Sequence, residues 1–251
     1  MQYKYAIERT DYSDLASGRV FHSLPGHPAF PIRLASEIFQ RCVDHRNRLY
    51  QASGPCTLYD PCCGAAYHLS VLTYLHGEHL QEVIGSDINE KAVALAQRNL
   101  SLLDIHGLDQ RIAEISILLQ QYGKDSHREA LASAAILKTK IAVFPPSLSM
   151  RTFQANATEQ SGISKSIKEK SVDIVFTDIP YGQHSNWQDT RSDFPAQSML
   201  NALKGILSPR SVVAIVSDKQ QKVLHEGYQR IEHFQIGKRR VVILKPYQPV
   251  L

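Results

Sequence analysis

Three carboxylates stand at the ends of apolar runs, and they are the residues best placed to do chemistry. Asp60 begins Asp60-Pro61-Cys62-Cys63-Gly64-Ala65-Ala66, Asp87 closes Glu82-Val83-Ile84-Gly85-Ser86-Asp87, and Asp178 begins Asp178-Ile179-Pro180-Tyr181-Gly182. Sheets with a strand-helix rhythm bind ligands at the carboxyl ends of their strands, near the point where strand order reverses. Gly64 lets the backbone come close to a ligand where a Cβ would clash. Asp87, at the tip of the next strand, can accept both hydroxyls of a ribose, each charge-assisted hydrogen bond contributing about 1.5–3 kcal/mol in gross terms. A dinucleotide would ask for G-x-G-x-x-G, whereas this turn holds one glycine, and Asp60 would repel a pyrophosphate. A cofactor with a cationic amino-acid portion and no phosphate suits the turn better. S-adenosylmethionine, with an ammonium and a sulfonium, is such a cofactor.

The second segment has a complementary chemistry. The Asp178 side chain and the carbonyl of the next residue can accept N–H bonds from a nucleobase, and Pro180 stiffens the turn. Tyr181 offers a flat face on which a flipped base can stack, a contact worth about 1–3 kcal/mol. Taken singly, each segment also fits an ordinary tight turn after a buried strand; together and in this order they favour a methyl-transfer site.

These residues need a scaffold. Apolar runs alternate with helical patterns, the signature of an open, mostly parallel sheet covered by helices. Strands are expected at Cys56–Asp60, Glu82–Asp87, Met150–Asn156, Val172–Asp178 and Ser211–Ser217, with Ile231–Ile236 and Arg239–Leu244 as a closing antiparallel pair turned at Gly237-Lys238. Helices are expected from about Ala66 to Leu75 and from Lys91 to Leu103, where Val93, Ala96, Leu100 and Leu103 share one face and Asn89 is a cap. Residues 1–50 read as an N-terminal helical extension. Residues 108–149 read as a helical insertion in one methyltransferase domain spanning 1–251, because they carry too few large apolar side chains for a core of their own.

Composition sets the outer limits. The chain has 251 residues, 43% hydrophobic and 21% charged, so a packed core is available and global disorder is excluded. Lys plus Arg is 28 against 24 acids, a formal charge of +4 that permits a polyanionic partner without requiring one. The four cysteines lack metal-ligand spacing and are too few for a disulfide framework, so no metal is expected and a reducing cytoplasm fits best. Cys62 and Cys63 read as small turn residues, Cys62 counting among the cofactor-site residues by position. The first residues lack the apolar core of a signal peptide, and no run approaches a membrane span.

Asp60-Pro61-Cys62-Cys63-Gly64 and Asp178-Ile179-Pro180-Tyr181 resemble the cofactor and catalytic motifs of class I S-adenosylmethionine-dependent methyltransferases acting on nucleobase nitrogens. Phe21-His22-Ser23, Phe30-Pro31-Ile32-Arg33-Leu34-Ala35 and Glu37-Ile38-Phe39-Gln40-Arg41 narrow the resemblance to the avilamycin-resistance 23S rRNA guanine methyltransferases, the AviRa family. The resemblance implies a Rossmann-like, mostly parallel seven-stranded sheet with an antiparallel last strand and helices on both faces. It implies S-adenosylmethionine as cofactor, guanine of 23S rRNA or of a large-subunit precursor as acceptor, and resistance to an orthosomycin such as avilamycin as one outcome of the modification, housekeeping and resistance enzymes being able to share one scaffold. It places Asp60 and Gly64 by the methionine part of the cofactor, Asp87 by the ribose, and Asn156 near the adenine, where the family often has Asp. Asp178 belongs to both the cofactor and the acceptor side. A second departure is Ala66, where the family usually has glycine; its methyl is expected to narrow the turn, and the site is expected to survive because Ala is the smallest replacement.

Candidate substrate contacts are Arg33, His22, Trp187 (the one tryptophan) and Arg239, within basic groups that include Arg19, Arg41, Arg46, Arg48, Lys238 and Arg240. His184 joins the same mouth. A monomer is expected, with no membrane association. Three other readings remain open from the sequence: an adenine-N6 methyltransferase on DNA or RNA, a nicotinamide-dependent oxidoreductase opposed by the missing glycines, and a non-catalytic RNA-binding module.

Overall fold

The computed structural model describes residues 3–23, 29–180, 187, 194–219, 221 and 223–247. Inside the sheet lies β1 (Cys56–Asp60), buried at all five positions. Beside it run β2 (Leu80–Asp87) and β4 (Val172–Asp178), both parallel to it. Strands this thoroughly buried are near-continuous apolar runs, as a parallel sheet covered on both faces requires. With β3 (Ser149–Gln154), β5 (Leu207–Asp218), β6 (Tyr228–Ile236) and β7 (Arg239–Pro246), the sheet has the order β3-β2-β1-β4-β5-β7-β6. Only β7 runs antiparallel to its two neighbours, which gives the expected antiparallel last strand. Strand order reverses between β1 and β4. A crevice therefore opens where the tips of these two strands diverge.

Successive strand residues point to opposite faces, and the apolar side chains divide accordingly. Leu58, Ile174, Phe176, Val212 and Ala214 face one cluster; Tyr59, Val175, Val213 and Ile215 face another. The first is covered by α1 (Ile32–Tyr50), α2 (Tyr67–His76), α3 (Glu90–Ser101), α4 (Ile105–Tyr122) and α5 (Asp125–Ile141). The second face is covered by two short helices, α6 (Gln160–Ser164) and α7 (Pro195–Leu203).

The differences from expectation have local causes. The region read as an N-terminal helical extension is helical only from Ile32; ahead of it the described residues form a single 3-10 turn, Ser13–Leu15. The insertion is a helical hairpin that begins at Ile105 rather than 108, because Asp104 caps α4 by accepting from the His106 N–H. It packs on the rest of the molecule through Leu108, Ala134 and Leu137. Among the described residues no helix is long and apolar enough to cross a membrane.

Candidate active site

The site grows from the β1 tip. The Asp60 carboxyl is fully buried; its Oδ1 accepts from the Cys62 N–H at 2.9 Å, and its Oδ2 lies 3.3 Å from His68 Nε2 in the first turn of α2. Burial pushes the Asp60 carboxyl up to about 7, an effect that the nearby Asp87 carboxylate reinforces and the Thr177 hydroxyl opposes. Burial likewise pulls His68 down to about 4, against the Asp178 carboxylate, which favours its charged form. Both groups of this pair are thus held toward the uncharged state.

Beyond Asp60 the chain makes a tight turn. Gly64 has φ +52, and a Cβ there would meet nothing within 4 Å, so the space over the turn is open. Gly64 N–H donates to Asp87 Oδ2 at 2.9 Å, and Asn89 N–H donates to Asp87 Oδ1 at 2.9 Å. Each oxygen keeps a second lone pair for a ligand. The Cys63 N–H donates to the Ser86 carbonyl at 2.8 Å, stitching the turn to β2. Ala66 also has a left-handed backbone, φ +53, but its methyl is fully buried in the larger cluster. The expected narrowing of the turn by this methyl is corrected: it packs into the core.

Asp178 ends β4 opposite Val216 of β5, and the following Ile179 N–H donates to the Val216 carbonyl at 3.0 Å. The convergence of the two strand tips is registered by Cys62. Burial pushes its thiol well up, and the carboxylates of Asp60, Asp87 and Asp178 all add to that shift. The three candidate carboxylates all stand at the carboxyl tips of adjacent parallel strands, β1, β2 and β4. Pro180 is described; Tyr181, Gly182 and His184 lie outside the described residues.

Other expected site residues are more scattered. Asn156 follows β3, where the Ala155 N–H donates to the Asp87 carbonyl; its Oδ1 accepts from the Thr158 N–H and hydroxyl, and its Nδ2 donates to Glu159. Arg239 begins β7 opposite Asp218, with its guanidinium 5.4 Å from the Phe30 ring centre. Phe30 in turn touches the rings of His68 and Phe176. Trp187 is partly buried against the cluster that includes Tyr59 and Ile84. His22 is held near Asn99, its imidazole pulled down to about 4 by burial first and by Arg111 and Arg98 second. Arg33 donates to the Ala6 and Ile7 carbonyls at 2.8 and 2.6 Å and lies over Tyr3, so it is engaged in tethering the N-terminal segment.

Sequence reading missed His68, Phe30 and Asn99. A signal existed for Asn99: it stands on the apolar face of α3 beside Ala96 and Leu100, where an amide must find partners. No comparable pattern marked His68 or Phe30, which meet only after folding.

The comparisons with known proteins agree with this fold. The family model described as rRNA methyltransferase AviRa matches residues 1–239. A curated relative, the 23S rRNA (guanine(2535)-N(1))-methyltransferase of Streptomyces viridochromogenes, is 37% identical over 97% of this chain and 95% of its own length. Two solved structures of the rRNA methyltransferase aviRa from the same organism, at 2.4 and 1.5 Å, superpose with TM-scores of 0.85 and 0.86. Both are 36% identical and cover 97% of this chain and 96% of theirs. With the strand order of a class I methyltransferase and its carboxylates gathered at the switch point, the chain belongs to the AviRa family of rRNA methyltransferases.

Proposed function

We propose that the protein uses S-adenosylmethionine to methylate a guanine nitrogen of 23S rRNA, N1 by likeness to the curated relative. The observation that carries the reading is the placing of Asp60, Asp87 and Asp178 at the carboxyl tips of three adjacent parallel strands, β1, β2 and β4, beside the crevice between β1 and β4. The turn fits the cofactor: the open space over Gly64 admits its methionine portion beside Asp60 and Cys62. The free lone pairs of Asp87 suit its ribose hydroxyls, and Asn156 lies on the adenine side. When bound, the cofactor supplies an electrophilic methyl on sulfur.

The chain's own residues would do the rest. The guanine must leave its stack to reach the crevice. Asp178, with the Ile179 carbonyl, orients the Watson–Crick edge, and Pro180 fixes the direction of that carbonyl. The Asp178 carboxylate would take up the N1 proton that guanine must lose when that nitrogen is methylated. Tyr181 stacks on the base. Alignment supplies most of the rate in such a direct displacement. Arg239 and Trp187 flank the mouth and contact the RNA; His22, held neutral, borders it. Arg33 we assign to the N-terminal tether.

The acceptor is 23S rRNA, free or in a large-subunit precursor, met in the cytoplasm by a monomer, with orthosomycin resistance as the physiological consequence. Incubation of 23S rRNA with isotopically labelled donor, followed by nucleoside mass spectrometry, tests the reading. Label in 1-methylguanosine is expected. Label in N6-methyladenosine would overturn the choice of base.

A further inference from the structure

The fully buried side chain of Asn99 ties together two segments far apart in sequence. Its Oδ1 accepts from the His22 N–H at 2.7 Å, and its Nδ2 donates to the His22 carbonyl at 2.9 Å and to the Ala65 carbonyl at 2.8 Å. Both amide donors are thereby used. Ala65 sits between two residues with left-handed backbone, Gly64 and Ala66. Such a turn has its peptide groups facing outward and needs partners from elsewhere. The Ala66 N–H finds the Cys63 carbonyl at 2.7 Å within the turn. The Gly64 N–H and the Ala65 carbonyl are held from outside, by Asp87 and Asn99.

The His22 segment does not depend on Asn99 alone. The Tyr67 hydroxyl donates to the Leu15 carbonyl at 2.7 Å, Arg111 Nε donates to the Val20 carbonyl at 2.9 Å, and Phe21 packs edge-on against Tyr67 and Tyr74. For the Ala65 carbonyl, Asn99 is the side-chain partner. Resting on the reading of this turn as the cofactor site, we propose that Asn99 is a positioning residue. It sets the Ala65 peptide so that the Gly64 N–H meets Asp87 and the space over the turn stays shaped for the cofactor. Asn99 touches neither cofactor nor acceptor in this arrangement; it acts through the turn.

The test compares Asn99→Asp, which keeps the shape but removes both donors, with Tyr67→Phe, which removes one tie of the His22 segment and leaves Ala65 alone. Calorimetric titration with S-adenosylhomocysteine and steady-state kinetics on 23S rRNA are the readouts. Asn99→Asp is expected to bind about tenfold more weakly, equivalent to about 1.4 kcal/mol. Its donor KM should rise in parallel while kcat at saturation stays within about threefold. Tyr67→Phe should lower the melting temperature yet keep its affinity within about twofold. Should Asn99→Asp not fold, Asn99→Ser is read by the same outcomes. Wild-type affinity in a folded Asn99 variant overturns the proposal, as does equal weakening by Tyr67→Phe. Failure of the wild-type protein itself to bind S-adenosylhomocysteine would instead remove the cofactor reading, and the positioning role with it.

Discussion

Asp178 and His76 show how differently two ionisable side chains can serve one chain. Asp178 stands at the tip of β4, and in the proposed reaction it takes up a proton as well as aligning the base. Asp178→Asn keeps the shape and hydrogen-bonding reach but removes the base. Single-turnover methylation should slow about 10²-fold or more while the protein melts close to wild type; an unchanged rate would relieve Asp178 of that task. His76 has no such part. It bonds the Ser36 hydroxyl at 2.9 Å and stacks on Phe39, and burial pulls it from 6.5 down to about 4. Between those values the unfolded chain binds the proton that the folded one refuses. Stability therefore falls as pH drops from about 6.5 toward 4. Replacing His76 with Gln should flatten that loss by about 2–3 kcal/mol in pH-dependent urea unfolding. A variant with the wild-type slope would show that His76 charges without cost. Ala66 was legible as a departure from the family's glycine, but the direction of its Cβ was not. That direction depends on a left-handed φ and on which core the methyl meets. Ala66→Gly should accordingly leave cofactor affinity within about twofold, because the methyl packs into the core, and should change stability little, because relief of the backbone and loss of the buried methyl are each about 1 kcal/mol and oppose one another.

At the scale of elements, what the chain wrote plainly were its most buried strands. Cys56–Asp60 and Val172–Asp178 were read to the residue because apolar runs ending in an acid leave little choice. β5 begins at Leu207, four residues before the run that marked it, because Pro209 and Arg210 are exposed and interrupt the pattern. The short helices α6 and α7 left no long periodic signal, although they close one whole face. Nor was the angle between α3 and α4 legible. It is set by contact at Gly107, where a Cβ would lie 2.1 Å from the Ser101 carbonyl oxygen. Gly107→Ala has better intrinsic helix propensity, yet this backbone contact cannot yield as a flexible side chain would. We expect about 2–3 kcal/mol of destabilisation in thermal or urea unfolding, the clash outweighing a propensity gain of about 1 kcal/mol. A more stable variant would mean that the hairpin slides freely on α3.

Across the whole molecule, the site is assembled from segments that sequence order keeps far apart. Phe30, ahead of α1, reaches His68 and Phe176, and Arg239 from the last hairpin lies over Phe30. Their spatial meeting follows from the position of β7 next to β5, which puts the turn between β6 and β7 at the same sheet edge as Asp178. A net charge of only +4 cannot by itself draw RNA to that edge. In the proposed reading local charge does it, and Lys238, Arg239 and Arg240 are consecutive at this turn. Arg239 packs on Phe30, whereas Lys238 is exposed, so the lysine is the member most accessible to a phosphate. Each phosphate contact on a single-stranded target contributes about 0.7 to the slope of log affinity against log salt. Filter binding of a 23S rRNA fragment over a potassium chloride series should therefore show Lys238→Ala losing about that much slope, together with affinity at low salt. The loss should be uniform across RNA sequences, because a phosphate carries no base identity. A slope identical to wild type would place the RNA backbone on another face and detach the hairpin turn from the recognition surface.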